Sequence, residues 1–186
     1  MELLFGINGS ISASAARPVT VESSTPIGIV ATVSSGDVGF KKFNNAEEGL
    51  TYIKTSNIAT GTLKAALTGI YLQGVNCPIV CYLVPENEDA AQLKIDVLAA
   101  IGELTKSSYP TGINLRLGLI IAPIFSADVE IGAKMDSIAT KLWATGITDD
   151  FSEDEAGFKA YMENFGSRCM LHTTAYTKAD GLQIPN

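Results

Sequence analysis

Five polar residues set the chemical question for this sequence: Asp37, Glu86, Ser126, Asp149 and Asp150. Each follows a run of apolar, β-branched residues that reads as a strand. Open parallel sheets take their ligands at the carboxyl ends of their strands. Carboxylates gathered there with a hydroxyl would suit a hard cation such as Mg²⁺. The competing reading is that acids in loops ahead of helices cap the helix and complement its dipole. Asp128, Glu153 and Asp154 fit that role directly. No motif accompanies the acids, so capping carries the greater weight. No residue is assigned as catalytic, cofactor-binding or metal-ligating, and no cofactor is expected.

The remaining reactive side chains point the same way. His172 is the one histidine, and it lies in the strand-like run Cys169-Met-Leu-His-Thr. Three residues apart on a strand, Cys169 and His172 would face opposite sides and could not act as nucleophile and base. Cys77 and Cys81 sit in another strand-like run, where four residues span about 13 Å, too far for a mutual disulfide. All three cysteines read as small buried hydrophobes, and an odd count fits a reducing compartment. The glycine-rich phosphate loops, the serine-hydrolase elbow and the zinc-protease helix motif are absent from the sequence. Trp143, Phe158, Tyr161 and Phe165 recur at helical spacing and read as core. Lys41-Lys42 reads as a solvated turn.

The chain has 186 residues, with 46% apolar and 18% charged side chains and a formal net charge of −7. That composition suits one globular domain with or without an arm. The acidity argues against nucleic acid, whose binding depends on neutralising phosphates, and against anionic membranes. No apolar run reaches the ~18 residues of a membrane span. The opening residues 1–16 carry Glu2 and no basic residue, and Asn8 and Gly9 interrupt them, so they do not read as a signal peptide.

Positioning these residues requires alternating strands and helices. Ile27–Val33, Pro78–Val84, Leu115–Ile121 and Arg168–Thr174 are continuous apolar runs, with a short fifth at Gly146-Ile147-Thr148. Runs without polar alternation mark strands covered on both faces. Between them lie one-sided apolar stripes at helical spacing. One holds Leu50 and Ile53, and a second Leu63, Leu67, Ile70 and Tyr71 behind a Thr62 cap. A third holds Leu93, Val97, Ile101 and Leu104, and a fourth Ile131, Met135, Ile138 and Leu142. The last holds Phe158, Tyr161, Met162 and Phe165. The expectation is an α/β fold: a mostly parallel sheet of about four to five strands flanked by helices. Residues 1–19 are expected as an extended N-terminal arm or edge strand, 20–180 as the α/β core, and 181–186 as a tail.

The order of segments resembles the tail sheath proteins of contractile-tailed bacteriophages and contractile bacteriocins. Arg17 to Val33, ending in Ile27-Gly-Ile-Val-Ala-Thr-Val33, is similar to the family's polar turn and opening strand. Gly61-Thr-Leu-Lys-Ala-Ala-Leu67 and the strand Pro78 to Val84 resemble its helix and valine-rich strand. Leu117-Gly-Leu-Ile-Ile-Ala-Pro123 with the helix after it resembles its strand-proline-helix unit, which runs on into Thr145-Gly-Ile-Thr-Asp-Asp150. Phe158 to Arg168 with Cys169 to Thr173 is similar to its last helix and strand. The resemblance spans about 160 residues, from Arg17 to Lys178.

This resemblance implies a virion structural protein, assembled in the host bacterial cytoplasm, rather than an enzyme. Its implied partners are other sheath subunits in a homo-oligomeric helical array, the tail tube protein, and baseplate and tail terminator proteins. The array would contract to drive the tube through the target envelope for genome ejection. It also implies a further C-terminal domain beyond residues 181–186, and a strand-donating role for residues 1–19. The alternatives are a small Mg²⁺-dependent α/β enzyme using Asp37, Glu86, Asp149 and Asp150, and a ligand-binding α/β module without chemistry.

Overall fold

A computed structural model describes residues 25–108, 114–150, 155–173, 176–179 and 182–185. The proposed arm at 1–19, and Glu153 and Asp154, lie outside these residues. The described chain is α/β, with a six-stranded, mostly parallel sheet flanked by five helices. The strands are β1 (Ile27–Val33), β2 (Gly39–Phe43), β3 (Ile79–Pro85), β4 (Leu119–Ile121), β5 (Thr145–Asp149) and β6 (Met170–Thr173). Their spatial order is β2-β3-β1-β4-β5-β6, and all neighbours run parallel except β2 against β3. A separate antiparallel pair is formed by β7 (Tyr176–Ala179) and β8 (Leu182–Pro185). The stretch read as a tail therefore holds a paired strand.

The helices are α1 (Ala46–Thr55), α2 (Thr62–Leu72), α3 (Ala90–Glu103), α4 (Val129–Leu142) and α5 (Glu155–Met162). The all-apolar character of β1 and β3 follows from burial on both faces. Ile29, Ala31 and Val33 point into one core with Phe43, Ile53, Leu63 and Leu67 from β2, α1 and α2. Val30, Val80 and Val84 point into another with Val97, Ile101, Ile131, Met135 and Ile138 from α3 and α4. Each fully buried Leu or Ile of these layers contributes about 1.5–3 kcal/mol of burial free energy.

Three helices begin as their acids and amides require. Asn45 Oδ1 accepts the Glu48 N–H at 2.9 Å while Glu48 Oε2 accepts the Asn44 N–H at 2.8 Å, a reciprocal cap on α1. Asp89 Oδ1 caps α3 at the Ala91 N–H, and Asp128 Oδ1 caps α4 at the Glu130 N–H, both at 2.9 Å. The capping role read for Asp128 is thus observed.

The structure departs from expectation at several points. Lys41-Lys42 is no turn but lies in β2, an edge strand. Phe40 meets Tyr82 edge-on at 5.1 Å and Phe43 tilts on Tyr52 at 5.5 Å, anchoring it. Lysines on an edge are a usual defence against further pairing, and they hide the strand's apolar pattern. The strand expected over Leu115–Ile121 shortens to Leu119–Ile121, because Gly118 and Leu119 both donate to the Pro26 carbonyl while Leu117 folds over Gly28. Trp143 is not core. It terminates α4 in the left-handed conformation, φ 55°, and is 83% exposed. Tyr71 and Met162 also lie on the exposed sides of their helices, and Cys169 is only half-buried, whereas Cys77 and Cys81 are buried as expected.

Candidate functional site

Leaving aside the antiparallel edge strand β2, the sheet runs β3-β1-β4-β5-β6. The chain steps to one side of β1 and then to the other, so β1 and β4 diverge in their connections. In such sheets the crevice at the carboxyl ends of the two diverging strands is the usual ligand position. The residues following β1 are Ser34 to Val38, and those following β4 are Ala122 to Asp128.

At the end of β1 the chain itself occupies that position. Ser34 Oγ accepts the N–H groups of Ala59 and Thr60 at 3.1 and 3.2 Å, and the Ser34 N–H donates to the Thr60 carbonyl. Beneath this, Thr32 and Thr62 exchange bonds. The Thr32 N–H donates to Thr62 Oγ1 at 3.0 Å, and the Thr62 N–H donates to Thr32 Oγ1 at 3.1 Å. Thr62 is therefore not the side-chain cap expected for α2; Gly61 stands at the cap, and the Thr62 hydroxyl is spent on β1. Gly61 adopts φ 114°, and a Cβ there would overlap the Thr32 carbonyl. The amides that a bound anion would use are taken by Ser34 and Thr32.

The acids singled out from sequence do not converge. Asp37 is exposed and pairs with Lys41 at 2.7 Å, and Lys41 also sits over the Tyr52 ring at 4.5 Å. Donating to the Asp37 carboxylate raises the Lys41 ammonium pKa against a smaller opposing effect of burial. Glu86, also exposed, accepts from Thr60 Oγ1 at 2.5 Å and so helps hold the same α1–α2 loop. Asp149 and Asp150 stand at the end of β5, three strands from β3. At about 4.8 Å per strand that separation is about 14 Å, beyond any shared cation. Among the described residues no three His, Cys, Asp or Glu side chains form a group that could hold a metal ion. The four-carboxylate Mg²⁺ site is not assembled.

What sequence reasoning missed is a cluster at the end of β5. Ser126, in a short 3-10 turn after β4, is fully buried, and its Oγ accepts the Asp149 N–H at 3.0 Å. The Tyr161 hydroxyl, from α5, donates to the Ser126 carbonyl at 2.6 Å. Thr148 Oγ1 and His172 Nδ1 lie 2.6 Å apart across the β5–β6 pair. Phe165 stacks on the His172 ring at 4.7 Å, and Tyr161 meets it edge-on at 5.7 Å. Burial lowers the His172 pKa, against a smaller opposing pull from Asp136, so the ring is neutral at neutral pH.

A hydroxyl beside an imidazole is the pairing that activates a nucleophile. Here Thr148 is fully buried, so no substrate reaches its hydroxyl. The pair ties β5 to β6 instead, in keeping with the expected satisfied histidine. Asp149 lies 7% exposed in the same region, and burial pushes its carboxyl pKa up to about 6. The sequence singles out Ser126, Asp149 and Asp150 only as separate strand-end residues; Ser126, Tyr161 and His172 are 12 to 23 residues from Asp149 in sequence, and only the fold joins them.

No family model matches this sequence, and a search of curated proteins finds no match. No helix among the described residues is long and apolar enough to cross a membrane.

Proposed function

We propose that the chain is the α/β body of a contractile-tail sheath subunit, a mechanical part rather than a catalyst. The observation that carries this reading is the ordered set of sequence segments from Arg17 to Lys178 that resembles the sheath family. A sheath subunit makes and breaks no covalent bond. It must move as a stiff unit while its contacts with neighbours rearrange.

Two features support the stiffness. The central strands are buried on both faces, and loops at the strand ends are fastened by buried hydroxyl–amide bonds such as Thr32–Thr62. One further feature supports assembly by strand addition. Among the described residues β6 ends the sheet with β5 as its one paired neighbour, and a partner's strand can complete such an edge with main-chain hydrogen bonds. Contacts of that kind connect like units head to tail and generate open helical arrays.

The test is to express the reading frame that holds this chain and to inspect the product by negative-stain electron microscopy. Hollow tubes of helical symmetry, wide enough to enclose a narrower tube, are expected. A dispersed monomer, from a reading frame set among metabolic genes, would refute the proposal and return attention to the strand ends.

A further inference from the structure

The end of β5 carries a polar group that neither the packing nor the proposed mechanical role uses. Asp149 is more than nine-tenths buried, and among the described residues its Oδ1 has no hydrogen-bond donor. Among the described residues no lysine or arginine forms an ion pair with it. The described titratable groups named around it are acidic or neutral. Asp150 follows it on the chain, and Asp128 stands at the start of α4. Tyr161 comes from α5, and its phenol is raised first by burial, against an opposing hydrogen bond with Thr148, and further by the charges of Asp150, Asp149 and Asp128. On β6, His172 is lowered and neutral, and Thr173 is the register partner of Asp149. A carboxyl group with one buried oxygen that no described donor meets, and no described counter-charge, is costly to keep ionised.

We propose that the junction of β5 with Ser126 and α5 is a proton-operated latch, closed when Asp149 is neutral and loosened when Asp149 ionises. Three contacts meet there: the Asp149 N–H on Ser126 Oγ, the Tyr161 hydroxyl on the Ser126 carbonyl, and Thr148 on His172. Ionisation of Asp149 favours any motion that brings its carboxylate to water, and such a motion draws β5 away from Ser126. The loosened state therefore frees α5, whose hold on the body runs through Tyr161.

The sign follows from the direction of the pKa change. The folded-state pKa, about 6, lies above the unfolded value near 3.8. The stabilising effect of the closed latch is therefore full below the unfolded value and is lost as pH rises through about 6. His172 acts in the opposite sense, since it gains a buried charge as pH falls. The direction of the effect thus separates the two groups.

The experiment is amide hydrogen exchange of the whole chain at about pH 4.5 and about pH 7.5, corrected for intrinsic rates. A pKa raised by about two units allows up to a hundredfold change in the opening equilibrium, tenfold per unit. Amides of β5 and α5 should lose protection at the higher pH, while those of β1 and β3 keep theirs. Asp149→Asn should hold β5 and α5 protected at both values. Equal protection at both values in the wild type, a loss spread evenly over the chain, or the same pH dependence in Asp149→Asn would each overturn the proposal. Where Asp149→Asn fails to fold, the carboxyl carbon shift of Asp149 in the wild type decides: titration near 6 upholds the latch, and titration near 4 refutes it.

Discussion

Substitution of Gly61 by alanine tests whether the α1–α2 loop is fastened over the end of β1. Gly61 combines φ 114° with ψ 166°, a region that is essentially glycine-only and costs other residues about 1–3 kcal/mol. A Cβ at this position would overlap the Thr32 carbonyl oxygen and lie 2.8 Å from its carbonyl carbon. That carbonyl belongs to β1 and cannot give way, since Ala31 and Val33 on either side are buried. The loop must lift instead, and lifting it breaks the paired bonds between Thr32 and Thr62. Each is worth about 0.5–1.5 kcal/mol net, and more where a buried donor is left unsatisfied.

Together these effects predict a loss of about 3–6 kcal/mol, a large share of the 5–15 kcal/mol typical of a domain. The measurement is the urea midpoint, with Gly39→Ala as the reference. Gly39 also has positive φ, 99°, but open space around it, so it reports the backbone cost alone. A Gly61→Ala loss no larger than that of Gly39→Ala would refute the reasoning, because it would show that the loop sits free of β1.

Two further perturbations have definite expected outcomes. Trp143→Gly should raise stability by about 1 kcal/mol in urea, because glycine relieves the left-handed cap and an 83%-exposed side chain gives up little burial. As the single tryptophan, Trp143 should also be fully open to iodide quenching in the isolated chain, and a loss of stability on substitution would show that it is packed. Asp128→Ala should cost about 1 kcal/mol through loss of the α4 cap. Burial raises the Asp128 pKa, but the Lys94 hydrogen bond and the Glu130 and Ile131 N–H groups outweigh it and hold the carboxyl below its usual range. Its contribution is therefore present above the unfolded value and lost as pH falls through the folded one, so the variant should show a shallower loss of stability in acid.

The parts of the fold legible in sequence are those where one physical demand dominates. β1 and β3 must be apolar on both faces, and their runs are unbroken. α4 must present Ile131, Met135 and Ile138 to one core behind an acidic cap, and both signals stand in the sequence. β2 was illegible because an edge strand has only one well-covered neighbour, so Lys41 and Lys42 interrupt its pattern without cost. Trp143 was misread because helical periodicity continues one residue past the point where the backbone turns left-handed, and only the backbone shows that turn.

The candidate site divides in the same way. The acids at the strand ends were visible singly, each with two readings open. Which reading holds depends on strand order, and strand order is a long-range property. Once β3 and β5 stand three strands apart, Glu86 and Asp149 cannot share an ion, and each must be explained by its own neighbours. Glu86 is explained by Thr60. Asp128 is explained by the α4 amides and by Lys94 of α3, which it meets at 2.7 Å. Asp149 keeps a buried Oδ1 that no donor meets among the described residues. A polar group that the surrounding structure does not satisfy costs stability unless its protonation or position changes. The proposed latch therefore belongs at the end of β5 rather than at the crevice at β1, where Ser34 and Thr32 already take the loop amides.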